Sequence, residues 1–159
     1  MREQIENSLP ELEKKYRGNQ ERPGIKMVEG KRAVPFLLLD VLSTLNQGDT
    51  YYRYSSAKPS VMHETGNLPR NYKKLRDEKG LNRLVITTKA VEKEQDKSNT
   101  RLVKTVPSGY GAFEYNISQF IYGNKVAFVD YTNEIVLVIE HEKIAQFQTQ
   151  IFRMFYDKL

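Results

Sequence analysis

Residues 33–45 form a strongly apolar run in which Val34, Phe36, Leu37, Leu38, Leu39, Val41, Leu42 and Leu45 cover most of a helix circumference. A helix so apolar must be covered on more than one side. The segments flanking it have a different period. Ile25-Lys26-Met27-Val28 before it alternates as a strand does, and Thr50-Tyr51-Tyr52-Arg53-Tyr54 after it is rich in residues that suit a pleated surface. Strand, helix, strand is a βαβ pattern, and it constrains the chain to a layered α/β architecture.

The pattern repeats once. Residues 66–79 predict a shorter basic helix entered through Pro69 and closed by Gly80, and Arg83-Leu84-Val85-Ile86-Thr87 predicts a third strand. Residues 91–99 are charged and nearly free of apolar side chains, so they belong to no core element. The remainder changes style. Residues 101–106, 114–122, 125–131 and 135–139 predict short strands, with Gly123-Asn124 and Thr132-Asn133 as tight turns between antiparallel neighbours. Ile144, Phe147, Ile151, Met154 and Phe155 then recur at helical spacing, which predicts a last helix docked along the sheet. The expected fold is a mixed sheet with a parallel βαβ N-terminal half, antiparallel C-terminal hairpins and helices on the faces. Residues 1–22 are read as a helical arm, with Ser8 and Glu11 at capping-box spacing and Ile5, Leu9, Leu12 and Tyr16 as its seam. Residues 23–159 are read as one α/β domain.

Composition narrows the chemistry. Without cysteine the chain has no disulfide, thiolate metal site or cysteine nucleophile, and it suits a reducing compartment. No segment approaches the ~20 apolar residues of a membrane span, so the expected location is the cytoplasm with no membrane partner. Two histidines with no H-x-x-x-H spacing and no carboxylate cluster point to no metal site. Ser55-Ser56 and Ser108 lack a nucleophile elbow, and the glycines form no nucleotide fingerprint. We therefore expect no cofactor, no catalytic residue and no enzyme. The formal charge of +5 is local, because residues 70–104 carry eleven basic and five acidic side chains.

Two binding sites can be read from the residues. Ligands of sheets with parallel strands lie outside the strands' carboxyl ends, where this chain presents Glu29, Gly30, Tyr54, Ser55, Ser56, Thr87 and Thr88. Carboxylate, hydroxyls and an aromatic face suit a polyol or sugar. The alternative is a nucleic-acid or phosphate-binding surface made of Lys73, Lys74, Arg76, Lys79 and Arg83. A plain oligomerisation scaffold is the third reading.

The stretch Pro23-Gly24-Ile25-Lys26-Met27-Val28-Glu29-Gly30-Lys31 precedes an apolar helix. The closing stretch runs from Ile121-Tyr122-Gly123-Asn124-Lys125-Val126-Ala127-Phe128-Val129 through Ile139-Glu140 to Ile151-Phe152-Arg153-Met154-Phe155-Tyr156. Together they resemble the C-terminal effector-binding domain of the TrmB family of sugar-responsive transcription regulators. The likeness spans most of the chain from Pro23 onward and is poorest over residues 57–100. It implies a phospholipase D-like fold, a small-molecule effector such as a sugar, and a homodimer. DNA would be reached only through a winged helix-turn-helix domain that this chain is read as lacking. Active members of the phospholipase D fold use a His-x-Lys pair with a later Asp. His141-Glu142-Lys143 has that spacing, but Gln148 stands where Asp would fall and His63 has no Lys two residues on, so the match is read as chance.

Overall fold

The computed structural model describes residues 24–56, 71–89, 101–107, 109 and 115–159. The arm, His63, the entry to the second helix at Pro69 and the charged run 91–99 lie outside the described residues. The elements are β1 (Gly24–Glu29), α1 (Ala33–Thr44), β2 (Thr50–Ser55), α2 (Tyr72–Glu78), β3 (Asn82–Thr87), β4 (Arg101–Thr105), β5 (Ile117–Tyr122), β6 (Lys125–Asp130), β7 (Ile135–Glu140) and α3 (Glu142–Lys158).

The strands form one seven-stranded sheet in the order β1-β7-β6-β5-β2-β3-β4. The expected α/β fold with a mixed sheet is present. Strands β2, β3 and β4 pair in parallel, and the remaining neighbours pair antiparallel. Two details of the order differ from the pattern read along the chain. Strand β1 does not lie beside β2 but pairs antiparallel with β7, from Gly24 opposite Glu140 to Glu29 opposite Ile135. Strand β4 is not part of the antiparallel hairpin series but adds in parallel to β3. Burial preference accounts for the first difference. Strands β6 and β7 are apolar on both faces and take interior positions, whereas β1 buries Val28 alone and leaves Ile25 and Met27 68% and 59% exposed.

Helices α1 and α2 cover one face of the sheet and α3 covers the other. Under α1, Leu37, Leu38 and Val41 pack with Phe120, Ala127, Val129 and Val136. Helix α1 is buried on one broad side and flanked by α2, but Leu39 is exposed, so the expected covering is incomplete among the described residues. Phe36, Leu39, Leu42 and Leu75 line a groove of about 550 Å³ between the two helices. Helix α2 ends at Gly80, whose φ of +63° suits the left-handed residue that follows a helix, as its position in the sequence predicts.

The docking stripe of α3 is not the one that its apolar spacing predicts. Ala145 and Phe152 are buried, while Phe147 and Met154 are 62% and 64% exposed. The aromatic rings of β2 decide between the two stripes. Phe152 sits 5.2 Å from the Tyr52 ring and 4.8 Å from the Tyr54 ring, centroid to centroid, and stacks on Tyr156 at 5.9 Å. Such aromatic pairs add about 0.5–1.5 kcal/mol each beyond their area.

Candidate functional site

Strand alternation divides β2 between the two layers. Tyr52 and Tyr54 face α3, where they belong to its aromatic cluster. Tyr51, Arg53 and Ser55 face α1 and α2, and what surrounds them is a polar track inside a largely apolar layer. Arg53 Nη2 donates to Tyr131 Oη at 3.3 Å, Tyr131 Oη donates to Ser118 Oγ at 3.2 Å, and Ser118 Oγ donates to Ser55 Oγ at 3.4 Å. Thr87 Oγ1 donates to the Ser55 carbonyl at 2.6 Å. Ser55, Thr87 and Ser118 are all but completely buried. The guanidinium of Arg53 also lies 4.9 Å above the Phe120 ring, a stacking that suits its planar cation.

At the other end of β2 and β3 the same face holds more arginine. Arg83 stands opposite Tyr51 in the parallel ladder and Arg53 opposite Val85, so Arg53 and Arg83 are diagonal neighbours on adjacent strands. Arg76 descends from α2 with its guanidinium 5.6 Å from the Tyr72 ring. Arg76 is 5% exposed and Arg83 7%. Arg83 Nε, Arg83 Nη2 and Arg76 Nε are buried without a hydrogen-bond partner. The exposed carboxylate of Asp77 comes within 3.6 Å of Arg76 Nε, longer than a hydrogen bond. A buried donor left unpaired costs about 1–3 kcal/mol, and more on a charged group. Arginine cannot escape the cost by losing its proton as lysine can.

The electrostatics agree with the geometry. Burial lowers the Arg83 pKa from its ordinary range, and the neighbouring charges of Arg76 and Arg53 press it the same way. Tyr72, which hydrogen-bonds Tyr51, has its phenol raised far above 10.0, chiefly by burial and then by Tyr51, against the opposing pull of Arg76 and Arg83. Both effects describe a dry, positively charged interior in which the Tyr72 phenol keeps its proton.

The sugar-site residues read from the sequence are only partly brought together. Ser55, Thr87 and the half-buried Thr88 share the carboxyl ends of β2 and β3. Ser56 lies beside them, but its hydroxyl exchanges hydrogen bonds with the backbone of Ile117, at 2.7 and 2.5 Å, and so closes the β2–β5 ladder. Tyr54 points to the opposite layer because it is one residue from Ser55, and burial raises its phenol pKa. Glu29 and Gly30 are separated from β2 by three intervening strands, roughly 19 Å at ~4.8 Å per strand. Gly30 N–H donates to the Glu134 carbonyl at 2.8 Å, so that residue belongs to the far end of the sheet.

The alternative basic set also divides. Arg76 and Arg83 are interior, whereas Lys73 and Lys74 are exposed, with Lys74 3.9 Å from Glu78 one turn on. Lys79 donates to the Leu42 carbonyl and ties the end of α2 to α1. His141, the histidine of the His-x-Lys spacing, is the N-cap of α3, and its Nδ1 accepts from the Ile144 N–H at 3.2 Å. Gln148 hydrogen-bonds Gln119 at 3.1 Å. Sequence reasoning missed Arg53, Tyr131 and Ser118. The signal for Arg53 was its place in an otherwise aromatic strand, where a charged residue at an inward position must serve something.

No protein-family model matches the chain, and no curated protein matches it in sequence. Solved structures do match it in shape. TrmBL2, described as an archaeal chromatin protein that shows a novel mode of DNA binding, superposes with a TM-score of 0.56 at 13% identity, over 97% of this chain and 57% of its own. NucT from Helicobacter pylori superposes with a TM-score of 0.58 at 10% identity, over 83% of this chain and 94% of its own. The chain thus spans little more than half the length of TrmBL2. At these identities the likeness is one of fold, and the α/β sheet described above is shared with both proteins.

Proposed function

We propose that the chain is a ligand-binding regulatory domain of TrmB-like kind, which acts by binding a small effector rather than by catalysis. The carrying observation is the interior track from Arg53 through Tyr131 and Ser118 to Ser55, beside Thr87, at the carboxyl ends of parallel strands. A chain of side-chain donors and acceptors inside a hydrophobic layer is costly unless it is satisfied and used. Convergent polar groups in apolar surroundings are what small-molecule sites are made of. The employment of His141 as a helix cap supports the non-catalytic reading. The fold shared with TrmBL2 supports a regulatory role connected with DNA, exercised through a DNA-binding region of the whole protein.

The reading includes a homodimer. Ile144, Phe147, the half-buried Ile151 and Met154 are spaced by three, four and three residues along α3, the spacing of a two-stranded helix seam, and all but Ile151 are exposed. A second copy of α3 is the self-complementary occupant for that stripe. Effector binding would then bias how the two subunits pack, with a coupling of about 1–3 kcal/mol.

Thermal unfolding against neutral sugars, sugar phosphates and nucleotides tests the proposal. A ligand at about 100 times its Kd adds about 2.7 kcal/mol, a shift of several degrees. A midpoint that no compound moves counts against effector binding. A response restricted to polynucleotides that vanishes in moderate salt would transfer the role to the exposed lysines and a nucleic-acid-binding function.

A further inference from the structure

We propose that the buried arginine cluster is an anion site: Arg76 and Arg83, with Arg53 beside them, form the receptor for the phosphate group of a small phosphorylated ligand. The inference rests on the ligand-binding reading above and gives its ligand a chemical class. Three guanidinium groups converge on one layer of the sheet, two from adjacent strands and one from α2. Arg83 makes no ion pair among the described residues, and both its Nε and its Nη2 are buried donors without acceptors. Arg76 contributes a third such donor, with Asp77 offset on the exposed side. The free positions are guanidinium N–H groups, the donors that form paired hydrogen bonds with the oxygens of a phosphate.

The burial of the site selects among anions. Arg76 and Arg83 are each more than nine-tenths buried, so the continuous backbone of a nucleic acid cannot lie along them, and a ligand would have to present its anion at a small terminal group such as a phosphate. The phenol of Tyr72, held neutral beside the cluster by burial, brings no competing negative charge. A single carboxylate would leave most of the positive charge unmet. A phosphate dianion with several acceptor oxygens answers both the charge and the number of donors. The hydroxyl track of Ser55, Ser118 and Tyr131 continues from Arg53 and suits the polar body to which the phosphate is attached.

Calorimetric titration of the 159-residue chain with inorganic phosphate, pyrophosphate, glucose 6-phosphate and glucose tests the assignment, together with thermal unfolding of the ligand-free variants. At least one phosphorylated probe is expected to bind with one-to-one stoichiometry. Arg83→Met should weaken it by at least about tenfold, and Arg83→Lys, which keeps the charge but not the fork, by a similar factor. A double change of Lys73 and Lys74 to Gln should leave affinity within about threefold, as expected of exposed side chains. Ligand-free Arg83→Met should melt no lower than the parent, because it removes an uncompensated buried charge; a merely structural arginine would give a fall. If Arg83→Met does not fold, the Arg83→Lys titration decides alone. Anion binding that survives both Arg83 variants, or is lost in the lysine double variant, overturns the site. Binding of glucose without binding of any phosphorylated probe overturns the site but leaves the ligand-binding reading standing. A flat response to all four probes counts against both.

Discussion

Tyr131 joins two parts of the interior, since its hydroxyl accepts from Arg53 and donates to Ser118. Tyr131→Phe leaves the shape of the ring and removes both bonds. We expect a loss of about 1–2 kcal/mol in urea unfolding, with the aromatic packing signature in near-ultraviolet circular dichroism retained. Asp40 plays the corresponding part at the other end of the layer, where its carboxylate accepts from Tyr122 Oη at 2.8 Å and from Lys125 Nζ at 3.1 Å. Asp40→Ala should cost about 2–3 kcal/mol by the same measurement, because a half-buried ammonium and a buried phenol lose their acceptor together. The phenols also give stability a pH dependence. Tyr122 is raised above 10.0 by burial and then by the Asp40 charge and hydrogen bond, and Tyr72 is raised mainly by burial. A phenol whose folded pKa exceeds its unfolded value contributes fully below about pH 10 and loses that contribution as pH rises. The melting midpoint should therefore fall between about pH 10 and pH 11, while phenolate absorbance shows the folded chain holding protons that the unfolded chain has released. The arginine cluster was hard to read at this scale. Arg76 and Arg83 stand in a basic stretch that fits an ordinary solvated surface and Arg53 stands apart in an aromatic strand, and only parallel pairing and the descent of α2 bring the three together.

Secondary structure was largely legible because it depends on local period. The boundaries of β1, α1, β2, β3 and β5 to β7 follow the alternation and helical spacing read from the residues. Facing was less legible, and α3 shows why. Its sequence carries two apolar stripes, one through Ala145, Phe152 and Tyr156 and the other through Phe147 and Met154, and spacing favours the second. Tyr52 and Tyr54 select the first by ring contacts that lie a hundred residues away in sequence. Phe152→Ala is therefore expected to cost about 3–5 kcal/mol, whereas Met154→Ala should stay within about 0.5 kcal/mol. Equilibrium denaturation of the two variants separates the stripes. Turn chemistry was read correctly at Gly123-Asn124, where Gly123 has a φ of +57° and an added Cβ would meet Thr44 Cγ2 at 3.1 Å. Any larger residue there strains the β5–β6 hairpin and crowds α1.

At the scale of the whole molecule, the strand order escaped the sequence because a βαβ pattern does not state how many positions its crossover skips. The two-sided apolar strands β6 and β7 displaced β1 to the edge, and with it Glu29 and Gly30 left the vicinity of β2. Changing Phe147 and Met154 together to Lys should convert the proposed dimer to monomer in sedimentation velocity without lowering the melting midpoint of the subunit, since both side chains are already mostly exposed. An unchanged sedimentation coefficient would remove α3 from the interface. The place of β1 has a further consequence for how the protein is made. Its sole strand partner among the described residues is β7, more than a hundred residues further along the chain, so β1 leaves the ribosome long before the strand it pairs with. Until then the backbone and apolar side chains of β1 have no ladder to join, and a ribosome stalled before β7 would hold a nascent chain that chaperones can grip at β1.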